Sequence, residues 1–276
     1  MYEKLFMCGT MELYGPIFWI NVLLTAIIPG LLATWLGVGG CFLRIPMLIY
    51  LFGVNIKTAY CINQAVVAVT TLPGVYVHWR KGHVYSKGLI TAILGAIIGV
   101  SLGAYVVARY IPTTMLKGIF GFACIIIGIY VAYRTIKARR ALMRRITVKE
   151  VKELEHGLKL FILMFLAGFA TGLCGFGGGI YFVPLFIALG YPTHIAVGTS
   201  SSEMIATAGM GSAVLTSMGF MNLILFLAVG IPTLIASYIG AKLAVKSPPW
   251  LLRLIYAIAI IFAGAYVAYD AITKII

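Results

Sequence analysis

Two glycine clusters are the residues in this chain best placed to do chemistry. Gly37, Gly39 and Gly40 lie in GVGGCFLRIP (Gly37–Pro46), and Gly175, Gly177, Gly178 and Gly179 lie in GFGGGIYFVP (Gly175–Pro184). Each cluster follows a long apolar run, precedes a short one and is followed by a proline, Pro46 or Pro184. Glycine breaks a helix and frees backbone amides. A helix that restarts at the break points its positive dipole end toward it. Two such ends facing each other would bind an anion without a full buried charge. The competing reading is close packing of helices on small residues. A dinucleotide loop does not fit, because no strand precedes either motif and no βαβ unit follows.

Polar side chains recur at matching places. Thr199, Ser200, Ser201 and Ser202 form a run in the second half, and Asn63 and Gln64 stand opposite them in the first. Hydroxyls and amides donate to oxyanions while the site stays neutral; the alternative is that they bond their own backbone. Arg44, inside the first motif, could attract an anion, snorkel to the interface or pair with a carboxylate. Of seven acidic residues, only Glu203 and Asp270 fall within apolar segments. A carboxylate in mid-membrane costs roughly 2.5–3.5 kcal/mol, so such groups tend to be functional. Glu203, one helical turn from Ser200, is therefore a proton-coupling candidate, with a structural pairing to Arg44 as the rival. His78, His83 and His194 lack metal-ligand spacing and are read as interfacial. Cys8, Cys41, Cys61, Cys124 and Cys174 show no CxxC spacing and are read as small hydrophobes. No triad, P-loop or kinase signature is present. The expectation is no enzyme, no cofactor and no metal.

The elements that must position these residues follow from composition. Of 276 residues, 62% are hydrophobic and only 10% charged, too few charges to cover a soluble surface. Lipid is the required solvent, and a multi-pass protein of the cell membrane is expected. Apolar stretches near the 20 or so residues of a span occur at about 17–36, 58–77, 88–108, 116–133, 158–173, 195–215, 223–243 and 251–272. Two more, 42–52 and 180–189, reach only about halfway across a bilayer. All must be helical, because lipid leaves an open backbone unbonded. The net charge is +14, and nine of the 21 basic residues lie in the single stretch from Arg134 to Lys159. This is the pattern of a cytoplasmic loop facing anionic lipid. Nucleic acid is not an expected partner, since no folded polar domain accompanies the charge.

The basic linker divides the chain into a first transmembrane repeat (1–133), the linker (134–159) and a second repeat (160–276). Beyond the glycine motifs, GVNIKTAYCINQA (Gly53–Ala65) pairs with GYPTHIAVGTSSS (Gly190–Ser202). Five segments per half would invert the second copy, and the loop charges agree. Arg80, Lys81 and Lys87 have no basic counterpart in 217–222, whereas Lys242 and Lys246 outnumber Arg109. The expected fold is all-α: a polytopic transmembrane bundle of two inverted repeats of about five segments each, with short helices at the glycine motifs. The linker is expected inside the cell and both termini outside.

These motifs resemble the sulfite exporter TauE/SafE family of membrane permeases. The resemblance rests on G-x-G-G-G-x-x-x-V-P-L at Gly175–Leu185 and G-x-x-x-x-x-A-V-x-T-S at Gly190–Ser200, with weaker copies in the first half. There Cys41 replaces a glycine, and Cys61, Ile62 and Asn63 replace Gly-Thr-Ser. The resemblance implies movement of sulfite, organosulfonates or related sulfur-containing anions, outward rather than inward. The residues themselves imply only an anion site between two halves. With no ATP-binding motif, the expectation is a secondary transporter. Its partners are a small anion and membrane lipids, and self-association is left open. The alternatives are a passive anion channel and a non-transporting membrane assembly or scaffold protein.

Overall fold

In the computed structural model, residues 15–36, 40–141, 157–244 and 249–274 are described. Among them are ten helices and no strand: α1 Pro16–Leu36, α2 Cys41–Phe52, α3 Ile56–Arg80, α4 Ser86–Arg109, α5 Thr113–Ala141, α6 Leu158–Cys174, α7 Gly179–Ala188, α8 Thr193–Ser217, α9 Leu223–Ala244 and α10 Pro249–Ile272. The two short apolar runs are separate helices of 12 and 10 residues, about 18 and 15 Å long. Each begins at a glycine, Gly40 or Gly178. Gly37 and Gly39 lie outside the described residues, as does most of the basic linker. Helix α5 runs past Arg134 to Ala141.

Side chains are sorted as lipid demands. Ile17, Ile126, Leu223 and Phe262 are all more than half exposed, while the buried interior holds both apolar and polar groups. Among the described residues, four helices (α3, α4, most of α5 and most of α9) are long and apolar enough to cross a membrane. The expected span at 195–215 falls in α8, which is not among the four. Its run of Thr, Ser and Glu lowers its hydropathy, and its polar groups Thr199, Ser200, Ser202, Glu203 and Thr207 are buried within the protein. Such a helix avoids the lipid by packing against α3, α4 and α7.

The principal contacts come in related pairs. α4 packs on α6 as α9 packs on α1, and α4 on α8 as α9 on α3. α3 crosses α8, and α5 lies along α10. Exchanging α1–α5 with α6–α10 in order maps each of these contacts onto another or onto itself. Small residues set the closest approach. On α4, Gly95, Gly99 and Gly103 recur every fourth residue and meet the Phe161, Phe165 and Phe169 carbonyls of α6. Gly168 and Gly172 on α6 meet Ala96 and Val100 of α4 in return. A Cβ on Gly95 would lie 2.5 Å from the Phe161 oxygen, and one on Gly172 2.6 Å from the Val100 oxygen. Neither neighbour can yield, because both are backbone. At one end of the bundle, Asp270 of α10 ties Lys117 of α5 at 2.6 Å and accepts from the Tyr50 hydroxyl of α2 at 3.1 Å.

This interface makes a prediction of sign. Gly99→Ala should lower the melting temperature in detergent, by an overpacking cost of about 1–3 kcal/mol. Gly74 has open space around its Cβ position, so Gly74→Ala should leave stability unchanged or raise it slightly. Equal melting temperatures for the two variants would contradict the packing described.

Candidate anion site

The starting ends of α2 and α7 meet. Phe42, in the first turn of α2, stacks on Phe176, just before α7, with ring centroids 4.3 Å apart. The Gly177 amide lies within hydrogen-bonding reach of the Cys41 thiol. Gly175 ends α6 at φ 67°, and Gly178 begins α7 at φ 85°, a left-handed backbone that side chains other than glycine rarely adopt. Gly178 cannot cap α7 and Gly40 cannot cap α2, since neither has a side chain. Gly40 also lets α2 start directly against the Pro29 carbonyl of α1, where a Cβ would meet backbone. The uncapped start of α2 and the glycine segment that leads into α7 are thus buried side by side, and each helix start carries unbonded amides and a positive dipole end.

Arg44 sits in the first turn of α2 and is 1% exposed. It donates to Asn63 Oδ1 at 3.1 Å, and Asn63 Nδ2 donates to the Gly175 carbonyl at 2.9 Å. This chain of bonds joins α2, α3 and the end of α6. Tyr60, one turn before Asn63, lies flat against Gly175, leaving no room for a Cβ. Gly177 is held in the same way against Val67, and Gly179 against Met204.

The polar run on α8 does not act as one surface. Successive residues turn by about 100° around a helix, so neighbours point apart. Thr199 accepts from the Tyr85 amide at 3.1 Å, next to the His83–His194 ring contact at one end of the bundle. Ser202 bonds back to the Gly198 carbonyl at 2.9 Å, and Ser201 is half-buried. Ser200 is fully buried, and its hydroxyl has no hydrogen-bond partner among the described residues. Glu203 shares that state with both carboxylate oxygens, so a pairing with Arg44 is not formed. Ser200, Glu203, Thr207 and Gly211 make one stripe, and at its far end Gly211 meets Gln64 of α3. Gln64 is also fully buried with neither amide atom bonded. An unbonded buried polar group costs roughly 1–3 kcal/mol, and a charge costs more. Several on one stripe are hard to explain as packing alone. Sequence reasoning missed Gly211, whose spacing from Glu203 and Thr207 carried the signal.

Arg44, Asn63, Gln64, Ser200 and Glu203 are each no more than 1% exposed. Two shallow surface hollows, one beside Leu72, Tyr76 and Trp79 and one beside Ala65, Gly209 and Ser212, include none of these groups. Among the described residues no set of three His, Cys, Asp or Glu side chains is arranged to hold a metal ion.

A helical bundle with apolar side chains outside and polar groups buried within is a multi-pass membrane protein, and its family makes it a membrane transporter and not an enzyme. The chain belongs to the family described as Sulfite exporter TauE/SafE, which matches residues 22–267. It is 26% identical over 248 residues to a probable membrane transporter protein of Methanocaldococcus jannaschii, covering 84% of this chain and 89% of that one. It is also 26% identical over 240 residues to a probable membrane transporter protein of Bacillus subtilis, covering 84% and 93%. No solved structure matches the chain.

Proposed function

We propose that the protein is a secondary transporter that exports a small sulfur-containing oxyanion, such as sulfite or an organosulfonate. The anion would bind between two inverted repeats, at the facing starts of α2 and α7. The observation that carries this reading is the meeting of two uncapped helix N-termini beside buried Arg44. The positive ends and the guanidinium supply attraction, and Asn63 holds the two halves in register around them. Gly37, Gly39, Gly40, Gly175, Gly177, Gly178 and Gly179 would let the backbone approach the anion. Gln64, Thr199, Ser200 and Ser201 would supply neutral donors as the closed site opens. Thr199 is the member with another task, since it already bonds Tyr85.

A two-fold repeat is supported by the paired contacts of α4 with α6 and α9 with α1, and its inversion by the opposite bias of the loop charges. With the linker in the cytoplasm, α3, α5 and α9 run inward and α4, α8 and α10 run outward, leaving both termini outside. Single cysteines introduced near residue 145 and after residue 272 should differ in intact cells. The second should react with an impermeant maleimide and the first should not; a protected C-terminus contradicts this topology.

The buried Ser200 hydroxyl is the donor whose loss should show most clearly. Sulfite efflux from proteoliposomes holding the parent should saturate and be slowed by sulfonate competitors. Losing one hydrogen bond to a charged ligand costs about 1.5–3 kcal/mol, so Ser200→Ala should weaken sulfite binding roughly 10- to 150-fold. Flux that fails to saturate favours a channel, and absence of flux with absence of binding favours an assembly role.

Proton coupling through Glu203 is part of the same proposal. Among the described residues its carboxylate oxygens have no hydrogen-bond partner, and an incoming anion would repel its charge, so a proton is the proposed means of neutralising it. Glu203→Gln keeps the shape and cannot titrate. The variant should bind sulfite and transport it without the pH dependence of the parent. Unchanged pH dependence in a folded variant rules the proton role out.

A further inference from the structure

The contact between the α3–α4 turn and the start of α8 gathers three of the chain's four histidines. His78 lies in the last turn of α3, His83 in the turn itself and His194 in the first turn of α8. The His78 and His83 rings are 5.8 Å apart, and those of His83 and His194 5.0 Å. His78 Nδ1 is buried and has no hydrogen-bond partner among the described residues. Two close backbone contacts hold the rings together. The Tyr85 amide donates to Thr199 Oγ1 at 3.1 Å, and Gly198 lets α8 lie directly against the His83 carbonyl, which a Cβ would meet. The Tyr85 ring also packs on Tyr191, with centroids 5.8 Å apart. Next along α8 come Ser200 and, one turn on, Glu203, both 0% exposed.

Charge at this end of the bundle is one-sided. Arg80 and Lys81 at the end of α3, Lys87 at the start of α4 and Lys159 at the start of α6 surround the contact, and Arg80 is turned over the Tyr76 ring. The other titratable side chains facing it are the Tyr85 and Tyr191 phenols. Among the described residues of these helices and of α7 and α8, Glu203 is the one carboxylate. Histidine gains its charge between pH 5 and 8, where lysine and arginine do not titrate. Neutral imidazoles pack ring on ring. Imidazolium ions at these separations repel one another and the cations around them, with no carboxylate in contact to offset the charge. A purely structural contact gains nothing from three such rings set against one another. We propose that this contact is a pH-operated gate: neutral histidines hold the α3–α4 turn against α8, and their protonation parts the two, opening a way to the segment that carries Ser200 and Glu203. In the topology proposed above this is the cytoplasmic mouth, so the gate opens as the cytoplasm acidifies. The gate governs access and does not depend on which anion is carried.

Hydrogen–deuterium exchange of the full-length protein in lipid nanodiscs, corrected for the intrinsic pH dependence of amide exchange, provides the test. Between about pH 8 and about pH 5.5, the segment 83–88 that holds the Tyr85 amide should lose protection about tenfold in the parent. Unchanged protection overturns the gate. The start of α5, which meets the other end of α3 where Asn55 donates to Thr113, should stay protected. A parallel loss there means general unfolding and also overturns it. The triple variant His78→Gln, His83→Gln, His194→Gln should keep its protection at both pH values within about twofold. His194 is exposed, so a substitution there spares the core. His194→Arg fixes a charge in the cluster and should lower protection about tenfold at the higher pH itself; this variant decides the matter if the triple variant does not fold. A His194→Arg protein as protected as the parent contradicts the inference, and so does a pH response that survives the triple substitution. Glu203→Gln should retain the response, and its loss would assign the trigger to Glu203 instead of the histidines. None of these readings involves sulfite, so the gate and the anion site fail separately.

Discussion

A backbone amide inside a bilayer has no water to bond, so a helix that stops there must hand its free ends to protein or to a ligand. This chain breaks helices at buried glycines: α2 begins after Gly40, and α6 ends and α7 begins within 175–179. The rest of the architecture follows from keeping those ends away from lipid. α3 and α8 cross beside them, and α4 and α9 close on α6 and α1 from outside. Backbone-to-backbone contact at Gly95, Gly99, Gly103, Gly168 and Gly172 lets α4 and α6 approach closely enough to seal one side. In lipid this closeness is the main available source of helix association, because apolar side chains gain little by leaving one hydrocarbon medium for another.

The same constraint accounts for the polar interior. Arg44, Asn63 and the Gly175 carbonyl satisfy one another across three elements. Buried polar networks of this kind are worth having only when most members are bonded. The unbonded hydroxyl of Ser200, the amide of Gln64 and the carboxyl of Glu203 stand apart from that network on the α3–α8 contact. In the proposed transport cycle, this second set is the part that changes.

Much of this was legible in the chain, for reasons that can be traced residue by residue. Periodic apolar runs of fixed length reveal membrane helices, since the bilayer sets their length, and α2 and α7 stood out by being too short. The glycine motifs announced the breaks because few other residues tolerate the backbone at Gly175 and Gly178. The serine run was less readable. Four adjacent residues on a helix face four directions, and only Ser200 reached a buried, unbonded position. Family membership added the sulfur chemistry that no spacing could supply. The list of apolar spans includes α8, at 195–215, but does not reveal that its polar groups are buried by neighbouring helices.

The central claim is that the facing starts of α2 and α7 bind an oxyanion. Selenite has the shape and charge of sulfite and scatters anomalously, so crystals of the protein soaked in it would locate the anion directly. The account predicts an anomalous peak within about 4 Å of the first-turn amides of α2 and α7, on the side of Arg44, at the distance of a hydrogen bond to selenite oxygen. A map with no peak there, and peaks only beside the surface lysines and arginines of the linker, would contradict it.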